Sequence, residues 1–219
     1  MIRILLVRHG ETDWNGARRL QGQRDIALSE TGRAQVAALR GTIADAAPEH
    51  VVVSGLSRAR ESAEVLGQPV HRADPRFNEA RLGDWEGRSS IEIRAEHPQC
   101  YADWRAGLHR PPGAESFAEL TARTVDGLCA AVGHAQDAGA RTVLVVTHGG
   151  PIRALLREVV GLDPRSAVPS HPASLTVLDV DGGPGALRSA RTDPAPAVGA
   201  VRLRLYNYSP ALSRLDPSD

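Results

Sequence analysis

Residues 2–10, IRILLVRHG, decide how this chain folds, because a short apolar run stops abruptly at Arg8-His9-Gly10. Residues 142–150, TVLVVTHGG, repeat the arrangement, with an apolar run followed by His148 and two glycines. Short apolar runs of this kind are typical of strands buried on both faces of a parallel sheet. The two stretches therefore predict two buried strands, each ending in a histidine.

The rest of the chain alternates helical and strand patterns around these two strands. Apolar spacing and helix-starting signals predict helices at 31–46, 57–66, 116–138 and 151–160. Further strands are predicted at 51–53, 175–180 and 201–205, and the loop before the last of them includes the Pro/Ala-rich residues 193–197. The pattern predicts a single α/β domain over residues 1–219, with a mainly parallel central sheet and helices on both faces.

Residues 80–115 interrupt this alternation. Ser89 and Glu92 have the spacing of a capping box and predict one short helix. Pro98 and later prolines break the pattern around it, so the stretch is predicted to be an irregular, lid-like insertion. Its aromatic side chains would belong to the core, stack against a sugar or exclude water from the site.

The composition excludes several classes of function. Of 219 residues, 26 are basic and 26 acidic, and every basic residue is arginine. The absence of lysine excludes Schiff-base chemistry, a pyridoxal phosphate site and a Walker-type lysine, whereas arginine is well suited to forked binding of phosphate. The balanced charge, with a pI near 7.1, argues against a broad nucleic-acid or membrane surface. Two distant cysteines and no long apolar run predict a cytoplasmic protein.

Histidines and arginines gather where the predicted strands end. In open α/β sheets, ligands bind at the carboxyl ends of the strands, so His9 and His148 are expected to share one pocket. Arg8 and Arg58 are placed to fork onto a phosphate, and Asn15 is placed to donate a further hydrogen bond. A single histidine in such a place usually makes a structural hydrogen bond, but two in matched settings favour a site.

Five motifs in this order resemble the histidine phosphatase superfamily, which includes the cofactor-dependent phosphoglycerate mutases. They are Leu6-Val7-Arg8-His9-Gly10-Glu11-Thr12, Leu20-Gln21-Gly22 with Leu28-Ser29-Glu30-Thr31-Gly32, Ser57-Arg58-Ala59, Asn78-Glu79 with Leu82-Gly83-Asp84-Trp85-Glu86-Gly87, and Val146-Thr147-His148-Gly149-Gly150. The likeness covers most of residues 2–160 and, more loosely, the stretch LYNYSPAL at 205–212. It implies a phosphoglycerate mutase-like fold.

The resemblance also implies a role for each matching residue. His9 would be the nucleophile and form a phosphohistidine, and Glu79 would protonate the leaving alkoxide and then activate water. Asp84 and Glu86 are competing candidates for the acid. The phosphate would be bound by Arg8, Asn15, Gln21, Arg58, His148 and Gly149, of which the two arginines and His148 also count as catalytic. No cofactor and no metal ion are implied.

Two positions depart from the family's pattern. Ser62 stands where the family usually has threonine, and it is expected to pack rather than react. The stretch Pro172-Ala173-Ser174-Leu175-Thr176 lacks the asparagine of the corresponding family motif. Whether this segment contacts the pocket is therefore left open.

Two segments are similar to the phosphatase branch of the family. One directly follows Glu79, and the other is Pro112-Gly113-Ala114-Glu115-Ser116. The expected activity is hydrolysis of a small phosphorylated metabolite of the sugar or glyceryl phosphate type, with phosphoglycerate mutase as the alternative. A metallohydrolase built on His9 and His148 lacks the usual ligand spacings, and a non-catalytic phosphate-binding module is expected to lack His9 or Glu79. A homodimer is expected by analogy only, with no nucleic-acid or membrane partner.

Overall fold

A six-stranded sheet forms the centre of the protein. The computed structural model describes residues 1–189 and 200–210, so the predicted 193–197 loop and the last two residues of LYNYSPAL lie outside the described residues. The strands are β1 (Ile2–Arg8), β2 (His50–Val53), β3 (Arg72–Ala73), β4 (Thr142–Thr147), β5 (Leu175–Val180) and β6 (Val201–Tyr208). They lie side by side in the order β3-β2-β4-β1-β5-β6.

The two strands that precede the histidines are neighbours in the middle of this sheet. β1 pairs in parallel with β4, with Arg8 opposite Thr147, and β4 pairs in parallel with β2. β5 runs antiparallel to both β1 and β6. The predicted mainly parallel sheet is confirmed, and the carboxyl ends of β1, β2 and β4 open at the same edge.

Helices cover both faces of the sheet, as predicted. They are α1 (Asp13–Gly16), α2 (Glu30–Ala38), α3 (Arg40–Ala46), α4 (Ser57–Leu66), α5 (Ser90–Glu96), α6 (Pro98–Arg105), α7 (Phe117–Asp137), α8 (Gly149–Val160) and α9 (Pro184–Ser189). Ile4 and Leu6 of β1 belong to a core shared with α7 and α8. Leu5 and Val7 belong to a second core shared with α2, α3 and α4. Successive side chains of β1 are therefore buried on opposite faces.

Local sequence signals explain where the helices around the site begin and end. α7 begins with the predicted capping box, in which Ser116 and Glu119 bond to each other's backbone N–H groups. α4 begins at Ser57, as predicted, and ends at Gly67, whose φ of 72° favours glycine. α8 carries Pro151 in its first turn, where a missing N–H is tolerated. Within the described part of the chain, no helix is long and apolar enough to cross a membrane.

Some of the predicted elements are corrected by the structure. Residues 31–46 form two helices, because Leu39 donates its N–H to the Val36 carbonyl in a tighter turn between them. The insertion is not irregular throughout, since Pro98 begins α6 instead of breaking the chain. Ser89 caps α5 by accepting from the Ile91 N–H, without the reciprocal contact predicted for residue 92.

The insertion at 80–115 has a small core of its own. Leu82, Trp85 and Ile93 are buried in it, and Tyr101 and Trp104 pack against them. The rings of Trp85 and Trp104 meet edge to face with centroids 5.6 Å apart, a favourable arrangement for aromatic pairs. Leu82 and Trp104 also line a pocket at the carboxyl end of the sheet, so the insertion forms one wall of that pocket.

Candidate active site

His9 directly follows β1 at the edge where the parallel strands end. Its backbone N–H donates to the Thr147 carbonyl at 3.0 Å, and its carbonyl accepts from the Ala173 N–H at 2.9 Å. The ring Nδ1 lies 2.6 Å from the Gly10 carbonyl oxygen, and because a carbonyl only accepts, this contact assigns the proton to Nδ1. The lone pair of the ring is therefore on Nε2, and His9 lines the pocket.

The Gly10 carbonyl is fixed by the close approach of α2 to the loop after β1. A Cβ atom on Gly10 would lie 2.4 Å from the Gly32 carbonyl oxygen, and one on Gly32 would lie 2.0 Å from the Glu11 carbonyl oxygen. Ser62, which was expected only to pack, accepts a hydrogen bond from the Gly10 N–H at 3.2 Å. These contacts hold the backbone that sets the tautomer of His9.

Both histidines of the site are kept neutral. Burial, followed by the positive charges of Arg58 and Arg8, holds the pKa of His9 well below the usual 6.5. Burial, followed by the charge of Arg58, likewise holds the pKa of His148 well below 6.5. A neutral imidazole keeps the lone pair that a nucleophile needs.

His148 follows β4 and lies beside His9, with the two ring centroids 5.0 Å apart. Its Nδ1 accepts from Arg58 Nε at 3.2 Å, which assigns the proton to Nε2, and Nε2 donates to Ser54 Oγ at 2.7 Å. Both ring nitrogens are therefore occupied. A direct bond from His148 to phosphate, as the family resemblance implies, requires either that the Nε2 proton leaves Ser54 or that Nδ1 gains a proton in place of the bond from Arg58.

A chain of hydrogen bonds continues from His148 to the segment that carries Glu79. Ser54 Oγ donates to Asn78 Oδ1 at 2.9 Å, and the same amide oxygen accepts from the Gly55 N–H at 2.7 Å. Ser54 follows β2, and Asn78 precedes Glu79 in the chain. The ends of β2 and β4 are thus tied to the candidate acid.

Arg58 is a buried cation in the first turn of α4. Besides its bond to His148, its Nη1 donates to the Arg24 carbonyl at 2.8 Å and its Nη2 donates to the Gly22 carbonyl at 2.9 Å. Burial lowers the pKa of Arg58 to about 10, so the side chain remains charged at neutral pH. The hydrogen bonds fix this positive charge at the pocket.

One pocket collects most of the residues that were predicted to bind phosphate. Its lining includes Arg8, His9, Asn15, Gln21, Arg58, Glu79 and Gly149. Asn15 Oδ1 accepts from the Thr12 N–H at 3.1 Å, which leaves the amide nitrogen to donate. Gln21 Oε1 is buried without a hydrogen-bond partner. Buried polar atoms are rarely left unpaired in folded proteins, and because this amide oxygen only accepts, a donor such as a hydroxyl group or a water molecule would complete it.

Glu79 brings a carboxylate to the same pocket. Its Oε1 accepts from the Ala80 N–H at 2.8 Å, and its Oε2 accepts from the Gly150 N–H at 3.3 Å. A Cβ atom on Gly150 would lie only 2.1 Å from Glu79 Oε1. The carboxylate is therefore seated against the beginning of α8, and a side chain at position 150 would have to displace it.

The two competing acids lie elsewhere. Glu86 Oε1 accepts from the N–H groups of Gln23 and Leu82 at 3.1 Å each, and so joins two loops. Asp84 is exposed. Among the acidic residues that the structure describes, Glu79 alone lines the pocket.

The sequence patterns give no sign of Arg123, which supports the segment of the candidate acid. Its Nη1 donates to the Asn78 carbonyl at 2.8 Å and its Nη2 to the Glu79 carbonyl at 3.0 Å. Its Nη2 also forms an ion pair with Glu115 at 2.6 Å. Because 44 positions separate Arg123 from Glu79, no local motif could have joined them.

The segment that lacks the family's asparagine does not reach the pocket. Residues 172–176 are absent from its lining, and Ser174 Oγ is buried without a hydrogen-bond partner. Within residues 1–189 and 200–210, no three or more His, Cys, Asp or Glu side chains are arranged to hold a metal ion.

Comparison with known proteins gives the class to which this fold and site belong. A model of the histidine phosphatase superfamily (branch 1) matches residues 4–193. The chain belongs to this superfamily, which confirms the resemblance and the prediction of a histidine phosphatase.

Similar proteins and structures agree with this assignment. A glucosyl-3-phosphoglycerate phosphatase of Mycolicibacterium vanbaalenii is 37% identical over 169 residues, which cover 73% of this chain and 75% of the relative. A probable phosphoglycerate mutase of Erwinia tasmaniensis is 34% identical over 171 residues, which cover 74% and 76%. A solved structure of mycobacterial glucosyl-3-phosphoglycerate phosphatase in complex with VO3 is 31% identical, with a TM-score of 0.80 and coverage of 94% and 99%. The predicted fold is confirmed.

Proposed function

We propose that this protein hydrolyses phosphomonoesters of small metabolites through a phosphohistidine on His9, with Glu79 as the proton donor. One observation carries the proposal: Nε2 of a neutral His9 holds a lone pair in a pocket that also contains Glu79, Arg8 and Arg58. This is the set of groups that phosphoryl transfer to and from a histidine requires.

The reaction has two steps that share the same groups. In the first, His9 Nε2 attacks phosphorus, the bond between phosphorus and the ester oxygen breaks, and Glu79 gives its proton to that oxygen. In the second, the Glu79 carboxylate takes a proton from water, and the water oxygen attacks phosphorus. The bond between phosphorus and Nε2 then breaks, and inorganic phosphate leaves.

Positive charge and hydrogen-bond donors around the phosphoryl oxygens supply most of the stabilisation in such a reaction. Arg8 and Arg58 provide the charge, and the amide of Asn15, Gln21 and the backbone of Gly149 provide further contacts. His148 is fully buried and is not among the residues that line the pocket, so with both nitrogens occupied it acts on the phosphoryl oxygens through Arg58. This arrangement positions Arg58 before the substrate arrives.

The substrate class is proposed to be sugar or glyceryl phosphates. Its support is the likeness to glucosyl-3-phosphoglycerate phosphatases and the presence of Trp104 in the pocket wall, where a ring offers a flat surface to a sugar. The alternative, phosphoglycerate mutase, has its support in the probable mutases among the relatives. Incubation with 3-phosphoglycerate, with and without bisphosphoglycerate, separates the two. Release of inorganic phosphate is expected, and isomerisation without release would contradict hydrolysis.

Substitution of the nucleophile tests the proposal directly. His9→Ala should lower kcat by about 10³-fold or more, since His9 is the only imidazole among the described residues that line the pocket. Brief reaction with phosphate-labelled substrate followed by quenching should trap acid-labile, base-stable label on the wild type and none on His9→Ala. His97→Ala, at an exposed histidine of the insertion, is the control and should behave as the wild type. Label retained by His9→Ala would reject the assignment.

Cytoplasmic location and a homodimer remain predictions. Cell fractionation would test the first. Sedimentation or light scattering over a range of protein concentrations would test the second, with a species of twice the monomer mass as the expected result.

A further inference from the structure

The connection between α8 and β5 forms the wall of the pocket beside Arg8. Residues 161–174, all of which the structure describes, make this connection without forming a helix or a strand. Val168, Pro169 and Ser170 of the connection line the pocket together with Arg8. The Nη1 of Arg8 donates to the Ser170 carbonyl, so the orientation of the guanidinium depends on where this carbonyl lies. An irregular connection keeps a carbonyl in place only if further contacts fix its main chain.

Asn207 of β6 binds this main chain on both sides of Ser170. Its Nδ2 donates to the Pro169 carbonyl at 3.2 Å, and its Oδ1 accepts from the His171 N–H at 2.7 Å. One amide side chain thus uses a donor and an acceptor to bracket the residue whose carbonyl contacts Arg8. Asn207 itself does not line the pocket, so it acts on this wall from behind.

A β-bulge in β6 aims Asn207 at the connection. Two steps along β5, from Leu175 to Val177, pair with the three steps from residue 208 back to residue 205, so β6 contains an extra residue there. Asn207 has a φ of 59°, in the left-handed region, which asparagine tolerates better than most residues. Bulges change the direction of a side chain and are common beside active sites. The direction of this amide is therefore a property of the fold.

The preceding residue fastens the same segment. The hydroxyl of Tyr206 donates to the Val168 carbonyl, so residues 168–171 are tied to β6 at three points. Both side chains belong to the stretch LYNYSPAL at 205–212, in which the likeness to the family is looser. The proposed hydrolysis gives this stretch no part in the reaction.

Arg8 benefits from being held in one orientation. An arginine binds phosphate as a planar fork, so rotation of its plane misaligns two hydrogen bonds at once. The guanidinium also packs against the beginning of α8, since a Cβ atom on Gly149 would lie 3.7 Å from Arg8 Cζ. A long side chain that is ordered only when the ligand arrives lowers the affinity. Anchoring of Nη1 to Ser170 removes part of this cost.

We propose that Asn207 is a positioning residue for phosphate binding, which acts through residues 168–171 on Arg8. The inference rests on the proposed function, in which Arg8 binds the phosphoryl oxygens, and it extends the site to the last strand of the sheet. Without the two amide hydrogen bonds the Ser170 carbonyl loses its fixed place. Arg8 is then oriented by the ligand alone, and the affinity for phosphate falls.

Asn207→Gly is the variant that tests this inference. It removes the amide, and glycine adopts a φ of 59° without strain. Calorimetric titration with inorganic phosphate should give a Kd about 5- to 10-fold higher than that of the wild type, which is part of the contribution of a charge-assisted hydrogen bond. The kcat/KM for p-nitrophenyl phosphate should fall by a similar factor. A wild-type Kd in the folded variant would overturn the inference.

Arg8→Met decides whether the effect passes through Arg8. This substitution alone should raise the Kd for phosphate by about 10- to 100-fold. Addition of Asn207→Gly to Arg8→Met should then change the Kd and kcat/KM by about twofold at most, because residues that act through one contact are not additive. A further 5- to 10-fold rise in the double variant would mean that Asn207 supports the pocket by another route, and the inference would be wrong.

Arg204→Met is the matched control on the same strand. Arg204 Nε donates to Asp179 of β5 at 2.6 Å, so this contact joins β6 to the sheet without reaching residues 168–171. Asp179 keeps its ion pair with Arg3, and Arg204 does not line the pocket. The Kd for phosphate should therefore stay at the wild-type value. A rise equal to that in Asn207→Gly would show that loosening of β6 in general is the cause and would reject the positioning role.

A milder variant covers the case in which Asn207→Gly does not fold. Tyr206→Phe removes one hydroxyl and leaves the bulge intact. It should raise the Kd for phosphate by about two- to threefold, and this rise should vanish in the Arg8→Met background. A rise that persists without Arg8 would contradict the proposed route.

Titration with phosphate also separates this inference from the hydrolytic function, because it needs no turnover. If the wild type binds phosphate but hydrolyses no phosphomonoester, the proposed function fails, and the Kd values of the four proteins in the cycle still decide the role of Asn207. If the wild type hydrolyses esters and Asn207→Gly matches it in Kd, the inference alone fails. A wild type that binds no phosphate would overturn the inference as well.

Discussion

The two ends of the pocket are held together in different ways. At the phosphate end, the protein itself satisfies Arg58 and His148, through backbone carbonyls and Ser54. At the α6–α8 end, aromatic rings hold Arg153, and its buried Nε has no acceptor. The comparison teaches that Arg58 and His148 are oriented before any ligand binds, whereas Arg153, like the Gln21 amide oxygen, keeps a buried polar atom without a partner. The ends of the strands thus position the phosphate-binding groups. The insertion and α8 form the part of the pocket wall that can differ with the substrate.

The largest expected effect tests whether the reaction at His9 is independent of the part of the pocket formed by α6 and α8. Glu79→Gln should lower steady-state kcat by about 10²- to 10⁴-fold on any substrate, because the proton donor and the base are the same group. With p-nitrophenyl phosphate, whose leaving group needs no proton, the variant should still release a burst of p-nitrophenol equal to the enzyme concentration. Stopped-flow absorbance measures this burst.

The contrary outcome for Glu79 is equally specific. A loss of the burst in proportion to the loss of turnover would show that Glu79 supports the first step in some other way. Asp84→Asn is the control for a nearby carboxylate, and it should leave both phases at the wild-type level because Asp84 is exposed and outside the pocket.

A second prediction concerns α8, which carries residues of both ends. Gly150→Ala should displace the Glu79 carboxylate, since the new Cβ would lie 2.1 Å from Oε1, and misplacement by about 1 Å costs about 10²-fold in rate. In Gly149→Ala the new Cβ meets Arg8 at an ordinary 3.7 Å, so the loss of kcat should be far smaller. Steady-state kinetics of the pair measures the difference, and equal losses would contradict the seating of Glu79.

A third prediction tests how completely the phosphate end is satisfied. Ser54→Ala removes the acceptor of His148 Nε2 and the donor to Asn78 Oδ1, so the free energy of unfolding should fall by about 1–3 kcal/mol. Ser174→Ala removes an equally buried hydroxyl that has no partner and should leave stability nearly unchanged. Urea unfolding of both variants provides the test. Similar losses at the two serines would show that the hydroxyl volume, not the hydrogen bonds, matters.

The smallest expected effect is on the pH dependence of stability. The pKa values of His9 and His148 are lowered, mainly by burial, so below about pH 6.5 the unfolded chain binds more protons than the folded one. Each histidine therefore contributes stability above about pH 6.5 that is lost as the pH falls, by at most about 1.4 kcal/mol per pH unit. Urea unfolding at a series of pH values should give a shallower slope for His9→Ala than for the wild type. Identical slopes would contradict the lowered pKa of His9.

Sequence patterns sufficed for the parts of the molecule that depend on neighbouring residues. The runs before His9 and His148 predicted adjacent buried strands because an uninterrupted apolar run, and the residue that stops it, are local signals. The capping box at Ser116 predicted the start of α7 for the same reason. The motifs around Arg58 and Glu79 then indicated a common pocket, and the structure places both side chains in its lining.

Features that depend on distant contacts could not be predicted in this way. Ser54 and His148 are 94 positions apart, and their hydrogen bond exists only after β2 and β4 have paired. Arg153 lies in a helical stretch that has no distinguishing motif. Its Nε is buried without a partner only because the fold brings the Trp104 ring, which is distant in the sequence, against it. Pro98 predicts a break in the chain but begins α6, because proline is common both where helices are interrupted and in their first turn.

The close approach at Gly10 and Gly32 has a consequence for how this enzyme loses function. The orientation of His9, the proposed nucleophile, depends on a backbone carbonyl, and that carbonyl depends on two positions where any side chain would collide with main chain. Neither glycine would touch a phosphate. Inactivating substitutions should therefore fall at places that look like ordinary loop and helix surface, and a survey of natural or laboratory variants guided only by distance to the substrate would overlook them.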